Sequence, residues 1–316
     1  MSPYGLGGKW SATPLSFARD GWNASDVQRI KLCFHVPLLS LIYVGFFSVR
    51  KYWHVIGIGV QNNLTYRFNF LARTVFGFIP LTAILLLWRN IYEGKGDAAS
   101  VATFTLAQMT SYYLLVTLVD ALTAVNEDDW QIAADIKDGN VSQFLLKPVD
   151  YLWFRFCLYL AGRGTYLTVA FIPLVLVTIY LRDYFVLPPD AATFGLFMMS
   201  VLMTAMLQFF ISYTMAMLAF WVMEVSTFIF ILYAFEYIAS GHMFPLAILP
   251  QVVQDILFFT PFPYQLYLPV GIYLGKITGA ALVNGLLAQA GWVVGAYLLA
   301  RFAWFRGIKK YAAAGG

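Results

Sequence analysis

ATFGLFMMSVLMTAMLQFFISYTMAMLAFWVM, residues 192–223, runs without one Asp, Glu, Lys or Arg. A helix of about 20 apolar residues crosses the ~30 Å hydrocarbon core of a bilayer, where charge is expensive. The next run, residues 225–240, carries a single ionisable side chain, Glu236. The whole 316-residue chain follows the same pattern, with 60% hydrophobic residues, 11% charged residues and a mean hydropathy of +0.71. Ordinary soluble domains carry about 25% charged residues. A soluble fold of this length cannot hide so much apolar surface, so the sequence predicts an all-α, polytopic transmembrane helix bundle.

Apolar runs bounded by charge, Pro and Gly predict six core spans, near residues 71–88, 103–125, 156–181, 193–222, 225–240 and 279–303. Between the last two lies an apolar, aromatic stretch, residues 241–275, broken by Pro245, Pro250, Pro261, Pro263 and Pro269. It reads as two half-helices dipping back into the outer leaflet, because broken backbone at membrane depth needs protein around it. Eleven Lys and Arg residues fall on one side of these spans (Arg50, Lys51, Arg67, Arg73, Lys137, Lys147, Arg155, Arg301, Arg306, Lys309, Lys310) and four on the other (Arg89, Lys95, Arg182, Lys276). By the positive-inside rule, both ends of the six-span core face the cytoplasm.

Residues 1–49 form an N-terminal extension ahead of a transmembrane domain at 50–316. Within the extension, residues 32–49 are uncharged but contain His35 and Pro37. A seventh span, an uncleaved signal-like anchor, an interfacial helix and translated sequence upstream of the true start all remain open there. Residues 51–73 mix apolar positions with Gln61, Asn62, Asn63 and Arg67, which suits a helix lying at the cytoplasmic surface or an extension of the next span.

Several chemistries are excluded. The net charge of +4 is scattered, with no compact basic and aromatic patch for nucleic acid. Cys33 and Cys157 form no CxxC pair and have no His at ligand spacing, so they read as small buried hydrophobes. A phosphate-cradling GxxxxGK[ST] loop is missing, and the one Gly-Lys-Gly, Gly94-Lys95-Gly96, lies in a short external loop. Ser240-Gly241-His242 suggests a nucleophile and base, but residues so close in sequence do not face each other as a catalytic pair. The chain therefore reads as a non-enzyme with no cofactor of its own.

The second cytoplasmic segment is the most distinctive. Residues 129–138 read as a short amphipathic helix stopped by Gly139, and residues 140–147 as a second one closed by Pro148. Gly139 is expected to hold positive φ. Ile132, Ile136, Val141, Phe144 and Leu145 are too many apolar residues for a solvated loop. The segment must dock on a partner or pack on its own bundle.

Residues 136–148, Ile-Lys-Asp-Gly-Asn-Val-Ser-Gln-Phe-Leu-Leu-Lys-Pro, resemble the Ile-Arg-x-Gly-x-(Leu)-x-x-x-Leu-Leu-(Arg/Lys)-Pro run of ABC-2 type exporter permeases. Residues 240–250, together with Pro261-Phe262 and Tyr267-Leu268-Pro269, resemble the extracellular Ser-Gly-x-x-x-Pro-x-x-x-x-Pro block of one subgroup. Residues 307–311 and Gly315-Gly316 resemble its basic, Tyr, Gly-Gly ending. The resemblance implies a six-helix permease subunit in the inner (plasma) membrane, paired with a second permease that is the same or homologous. It also implies two copies of a separate ATPase subunit, which bind the ATP and Mg. A surface elbow helix would precede the first span. Carried over, the ATPase-coupling region takes in Gln131, Ile132, Ile136, Gly139, Val141, Phe144, Leu145 and Lys147. The re-entrant gate takes in Gly241, Pro245, Pro250, Pro261 and Pro269.

Four ionisable residues fall at membrane depth. Asp120, Arg163 and Glu224 lie near cytoplasmic span ends, where snorkelling or pairing accounts for them. Glu236 is expected in the outer half of its span, either lining the translocation route with Gln208 or making a structural hydrogen bond. The cargo expected from the aromatic content is small and apolar or amphipathic, moved outward by alternating access. Two other classes stay open, a secondary transporter and a non-catalytic assembly subunit.

Overall fold

A computed structural model describes residues 40–65, 67–94, 104–125, 128–147, 149–180, 182 and 185–314. Readings that fall on residues 1–39, on Lys95 and Gly96, on Pro148 and on the Gly315-Gly316 ending lie outside the described residues. The chain divides into two compact units, residues 1–51 and 52–316. Of the first, the described part is the opening of helix α1.

The helices are α1 (Ser40–Thr65), α2 (Arg67–Glu93), α3 (Leu106–Thr123), α4 (Asp128–Lys137), α5 (Val141–Leu145), α6 (Tyr151–Tyr180), α7 (Ala191–Ala216), α8 (Ser226–Ala239), α9 (Gln251–Phe258), α10 (Tyr267–Tyr273) and α11 (Gly279–Ala314). No strand occurs among the described residues. Among the described residues, three stretches are long and apolar enough to cross a membrane unaided: Tyr151–Val177, Ala191–Phe220 and Gly279–Tyr311. Their outward faces carry large apolar side chains along their length, such as Leu176 on α6, Leu202 on α7 and Leu298 on α11. An apolar surface of that extent belongs in lipid or against another apolar surface. The chain is a multi-pass helical membrane protein.

Local chemistry sets the helix ends. Thr105 and Gln108 form a reciprocal capping box at the start of α3. Asp190 caps α7 by accepting from the Thr193 amide at 2.7 Å. Helix α11, at about 1.5 Å per residue, is about 54 Å long. It overshoots the hydrocarbon core, so its last turns stand beyond it with Arg306, Lys309 and Lys310.

Helix α7 is the hub. It packs on α11, on α10, on α4 and on α3, while α2, α3 and α6 pack on one another. At its centre Gln289 of α11 is fully buried. Its amide nitrogen donates toward the Ser200 carbonyl (3.0 Å), the Thr204 hydroxyl (3.1 Å) and the Tyr264 carbonyl (2.9 Å). Its amide oxygen accepts from the Ser200 hydroxyl at 2.9 Å. One side chain thus joins α11, α7 and the segment ahead of α10.

The half-helices expected in residues 241–275 are α9 and α10, separated by the 3-10 turn Phe262–Tyr264. Pro245 and Pro250 occupy the positions before the turn Leu246–Ile248 and before α9, and Pro261 stands before the turn Phe262–Tyr264. Pro269 lies buried inside α10.

Replacing Gln289 with Leu keeps the volume but leaves the Tyr264 carbonyl without this donor, a cost of about 1–3 kcal/mol for a buried polar group. The thermal unfolding midpoint of purified Gln289→Leu protein is expected to drop clearly below wild type. An unchanged midpoint would show that this junction contributes nothing.

Candidate functional site

Helices α4 and α5 form a short platform at one end of the bundle. Helix α4 packs on α7, on the 3-10 turn Met217–Phe220 that follows it, and on α6. Ile132, Ile136 and Val141 are buried in this chain's own core. Phe144 is half-buried, its ring centroid 5.1 Å from that of Tyr151 and 4.9 Å from that of Phe154. Of the two alternatives the sequence left open, a partner or the chain's own bundle, Ile132, Ile136 and Val141 take the bundle, while the platform exposes Trp130, Gln131, Leu145, Leu146 and Lys147.

Polar contacts from α6 and α8 clamp this platform, and a further ion pair ties α11 to the residue just ahead of α6. Arg155 of α6, almost fully buried, forms an ion pair with Asp135 and donates from Nε to the Tyr151 hydroxyl at 3.0 Å. Tyr151 donates in turn to Asp135 at 2.9 Å, and its ring stacks on Trp304 of α11 at 5.0 Å. Tyr233 of α8 donates to Asp129 of α4. Arg301 of α11 pairs with Asp150 just ahead of α6. Burial pushes the Asp129 carboxyl up to about 6, although its hydrogen bond from Tyr233 opposes the shift.

Between the two short helices, Gly139 holds φ at +77°, as the sequence reading expects. Its carbonyl accepts from the Ser142 amide (3.2 Å), the Ser142 hydroxyl (2.8 Å) and the Tyr311 hydroxyl (3.1 Å). The turn is therefore tied to the far end of α11.

Above the platform lies a cavity of about 440 Å³, lined by Asp120, Gln208, Ser212, Tyr233, Glu236 and His242, among others. The two residues expected on a translocation route, Glu236 and Gln208, do meet there. The depth of Glu236 differs from expectation. The Tyr233 hydroxyl also lies 3.2 Å from the Val125 carbonyl, so the middle of α8 stands level with the α3–α4 junction. Glu236, three residues on, sits beside Asp120 near that junction and not in the opposite half. Asp120, expected to snorkel or pair at a span end, instead faces this cavity. Arg163 is buried with an unpartnered Nε, its guanidinium 5.6 Å from the Tyr166 ring, so it does not snorkel either. Glu224 accepts from the Ser226 amide at 3.1 Å at the exposed start of α8.

On its other side the cavity meets the half-helix hairpin. The Tyr112 hydroxyl donates to the Gly241 carbonyl at 2.6 Å, and the Tyr113 hydroxyl to the Met243 carbonyl at 2.9 Å while accepting from Trp88 at 2.9 Å. Gly241 has φ of +88°, and a Cβ there would lie 2.7 Å from the Tyr112 hydroxyl.

The family model of the ABC-2 family transporter proteins matches residues 78–315, from within α2 through all of α11. The chain belongs to the ABC-2 transporter family. A search of curated proteins gave no match. Within this ABC-2 fold, sequence reasoning missed the Asp135–Arg155–Tyr151 cluster, the Tyr233–Asp129 bond and Gln289. A polar side chain inside the apolar run at 279–303 is a signal that could have marked Gln289, since buried polar groups in spans hydrogen-bond between helices.

Because the folded state holds Asp129 well above its ordinary 3.8, the protonated form is the favoured one. Its contribution to stability is full below about pH 3.8 and is lost as pH rises through about 6. Unfolding curves across pH 4–7 are expected to fall less steeply for Asp129→Asn than for wild type; parallel curves would contradict the assignment. Gly241→Ala is expected to destabilise the ABC-2 protein by about 1 kcal/mol or more through its φ alone, with a further cost from Tyr112. A wild-type melting midpoint would rule that out.

Proposed function

We propose that this ABC-2 family protein is the permease subunit of an ATP-driven exporter. A separate ATPase subunit, in two copies and holding the ATP and Mg, docks on the α4–α5 platform, and a second permease completes the translocation route. The bundle crosses the inner membrane six times, with α2, α3, α6, α7, α8 and α11 as spans and with the platform and C-terminus in the cytoplasm. The elbow preceding the first span is the part of α1 from residue 51 onward.

The observation that carries this reading is the platform. It is rigidly joined to the bundle yet presents Trp130, Leu145 and Leu146 to the outside with Gln131 and Lys147 beside them. Large apolar residues kept exposed on a clamped surface suit a partner that covers them.

The clamps supply the mechanism. ATPase closure displaces α4 and α5, and because Asp129 is bonded to Tyr233, the movement passes straight to α8, a wall of the central cavity. Helix α8 ends at Ser240-Gly241, where Tyr112 holds the hairpin. Rigid-body displacement of the platform therefore works on the cavity and on its outer closure through one helix. A cargo admitted from the cytoplasmic side leaves when the hairpin separates from Tyr112 and Tyr113.

Two variants separate docking from transmission. Leu145→Asp places a charge on the docking face and is expected to abolish co-purification of the ATPase. Tyr233→Phe keeps the docking face and is expected to retain the ATPase while transport per ATP hydrolysed falls several-fold. Cysteine at Ser142 should react with a membrane-impermeant reagent only from the cytoplasmic side. Normal ATPase binding by Leu145→Asp, or labelling of Ser142→Cys from outside intact cells, would overturn the proposal.

A further inference from the structure

Among the described residues, the carboxylates of Asp120 and Glu236 have no hydrogen-bond or ion-pair partner, yet both face the 440 Å³ cavity. Among the described residues lining it there is no Lys or Arg, and the basic side chain present is His242. Two further polar atoms at its wall are buried and unsatisfied, the amide oxygen of Gln208 and the hydroxyl of Ser240. Their residues are 6% and 1% exposed. Buried polar atoms without partners are uncommon, and each points to something that completes it. Every unsatisfied group in this set is a carboxyl group or another group able to accept a hydrogen bond.

A second compartment of about 540 Å³ adjoins the first and shares Asp120, Tyr237 and His242 with it. The rest of its wall is mainly apolar, including Phe78, Leu81, Ile84, Val116 and Ala170. At the shared wall the Tyr237 and His242 rings lie 4.4 Å apart between centroids. Among the described residues, no group of three or more His, Cys, Asp or Glu side chains converges closely enough to hold a metal ion. The charge that fits is a bulky one, spread over an organic head and flanked by the rings of Tyr233 and Tyr237.

We propose that the two compartments form one bipartite site for an amphipathic organic cation. The ammonium-like head lies between Asp120 and Glu236 against Gln208 and Ser240, and the hydrocarbon part extends along Leu81, Ile84 and Val116. Each compartment is within the range of sites that bury small organic molecules. The inference rests on the permease reading for its meaning as a cargo site, but binding itself can be measured without an ATPase.

The test uses the full chain in phosphatidylcholine nanodiscs, with radiolabelled dodecyltrimethylammonium as probe and empty nanodiscs as the blank for lipid partition. The expected result is saturable binding, at least ten-fold tighter than that of the uncharged analogue carrying a tert-butyl head. Asp120→Asn and Glu236→Gln should each weaken the cation about ten-fold, and in the double variant the preference over the neutral analogue should vanish. Val116→Trp, which fills the apolar compartment, should weaken the dodecyl probe but not its butyl homologue. Equal binding of cation and neutral analogue by wild type would overturn the site, and that comparison needs no variant to fold. So would a well-folded double variant that keeps its preference for the cation. Cation selectivity without an associating ATPase would leave the site standing and remove the exporter reading, and an associating ATPase without cation selectivity would do the reverse.

Discussion

The ion pair between Arg155 and Asp135, closed into a triangle by Tyr151, is the interaction on which the arrangement at the platform end depends. Arg155 is nearly fully buried, and removing either charge would strand the other where solvation is poor. The triangle therefore holds only if α4 stays against α6. Tyr151 extends the constraint to α11 through Trp304, and the neighbouring Arg301–Asp150 pair repeats it one turn away. Once α4 is held, Ile132 and Ile136 have one place to go, into the core beside α7. Val141 follows because the Gly139 turn is tied to Tyr311.

The two polar layers of the bundle are treated in opposite ways. At the platform, Asp129, Asp135, Asp150, Arg155 and Arg301 all have partners. In the cavity above it, Asp120 and Glu236 lack hydrogen-bond and ion-pair partners among the described residues, and Gln208 and Ser240 leave polar atoms unsatisfied. A membrane bundle keeps polar groups in such a state where water or a ligand reaches them. The satisfied layer supplies rigidity, and the unsatisfied one supplies a site. Tyr233 belongs to both, bonding to Asp129 below while lining the cavity above.

The short helix α8 and the residue after it supply Tyr233, Glu236, Tyr237 and Ser240 to the cavity wall. With 14 residues it extends about 21 Å, too little for the full hydrocarbon core. Its chain then breaks at Gly241 and returns as α9 and α10. The Tyr112 and Tyr113 hydroxyls satisfy the carbonyls of Gly241 and Met243 freed by that break.

The helical class, the long apolar spans, the broken stretch at 241–275 and the positive φ of Gly139 were all legible in the sequence. Each follows from local rules: hydrocarbon excludes charge, Pro removes a backbone donor, and only Gly adopts that turn without strain. The meeting of Gln208 with Glu236 was legible in part, because a polar residue in an apolar run has few reasons to be there. Which way the platform's apolar row points was not legible. An amphipathic helix of ten residues has an apolar face whether it packs on its own chain or on another, and its periodicity is the same in both cases. The depth of Glu236 and the company of Asp120 were likewise decided in three dimensions, because both depend on Tyr233 meeting Val125 and Asp129 more than 100 residues away in sequence. Sequence determined which residues must avoid water; the packing of α8 against α3 and α4 decided which of the exceptions would share a cavity.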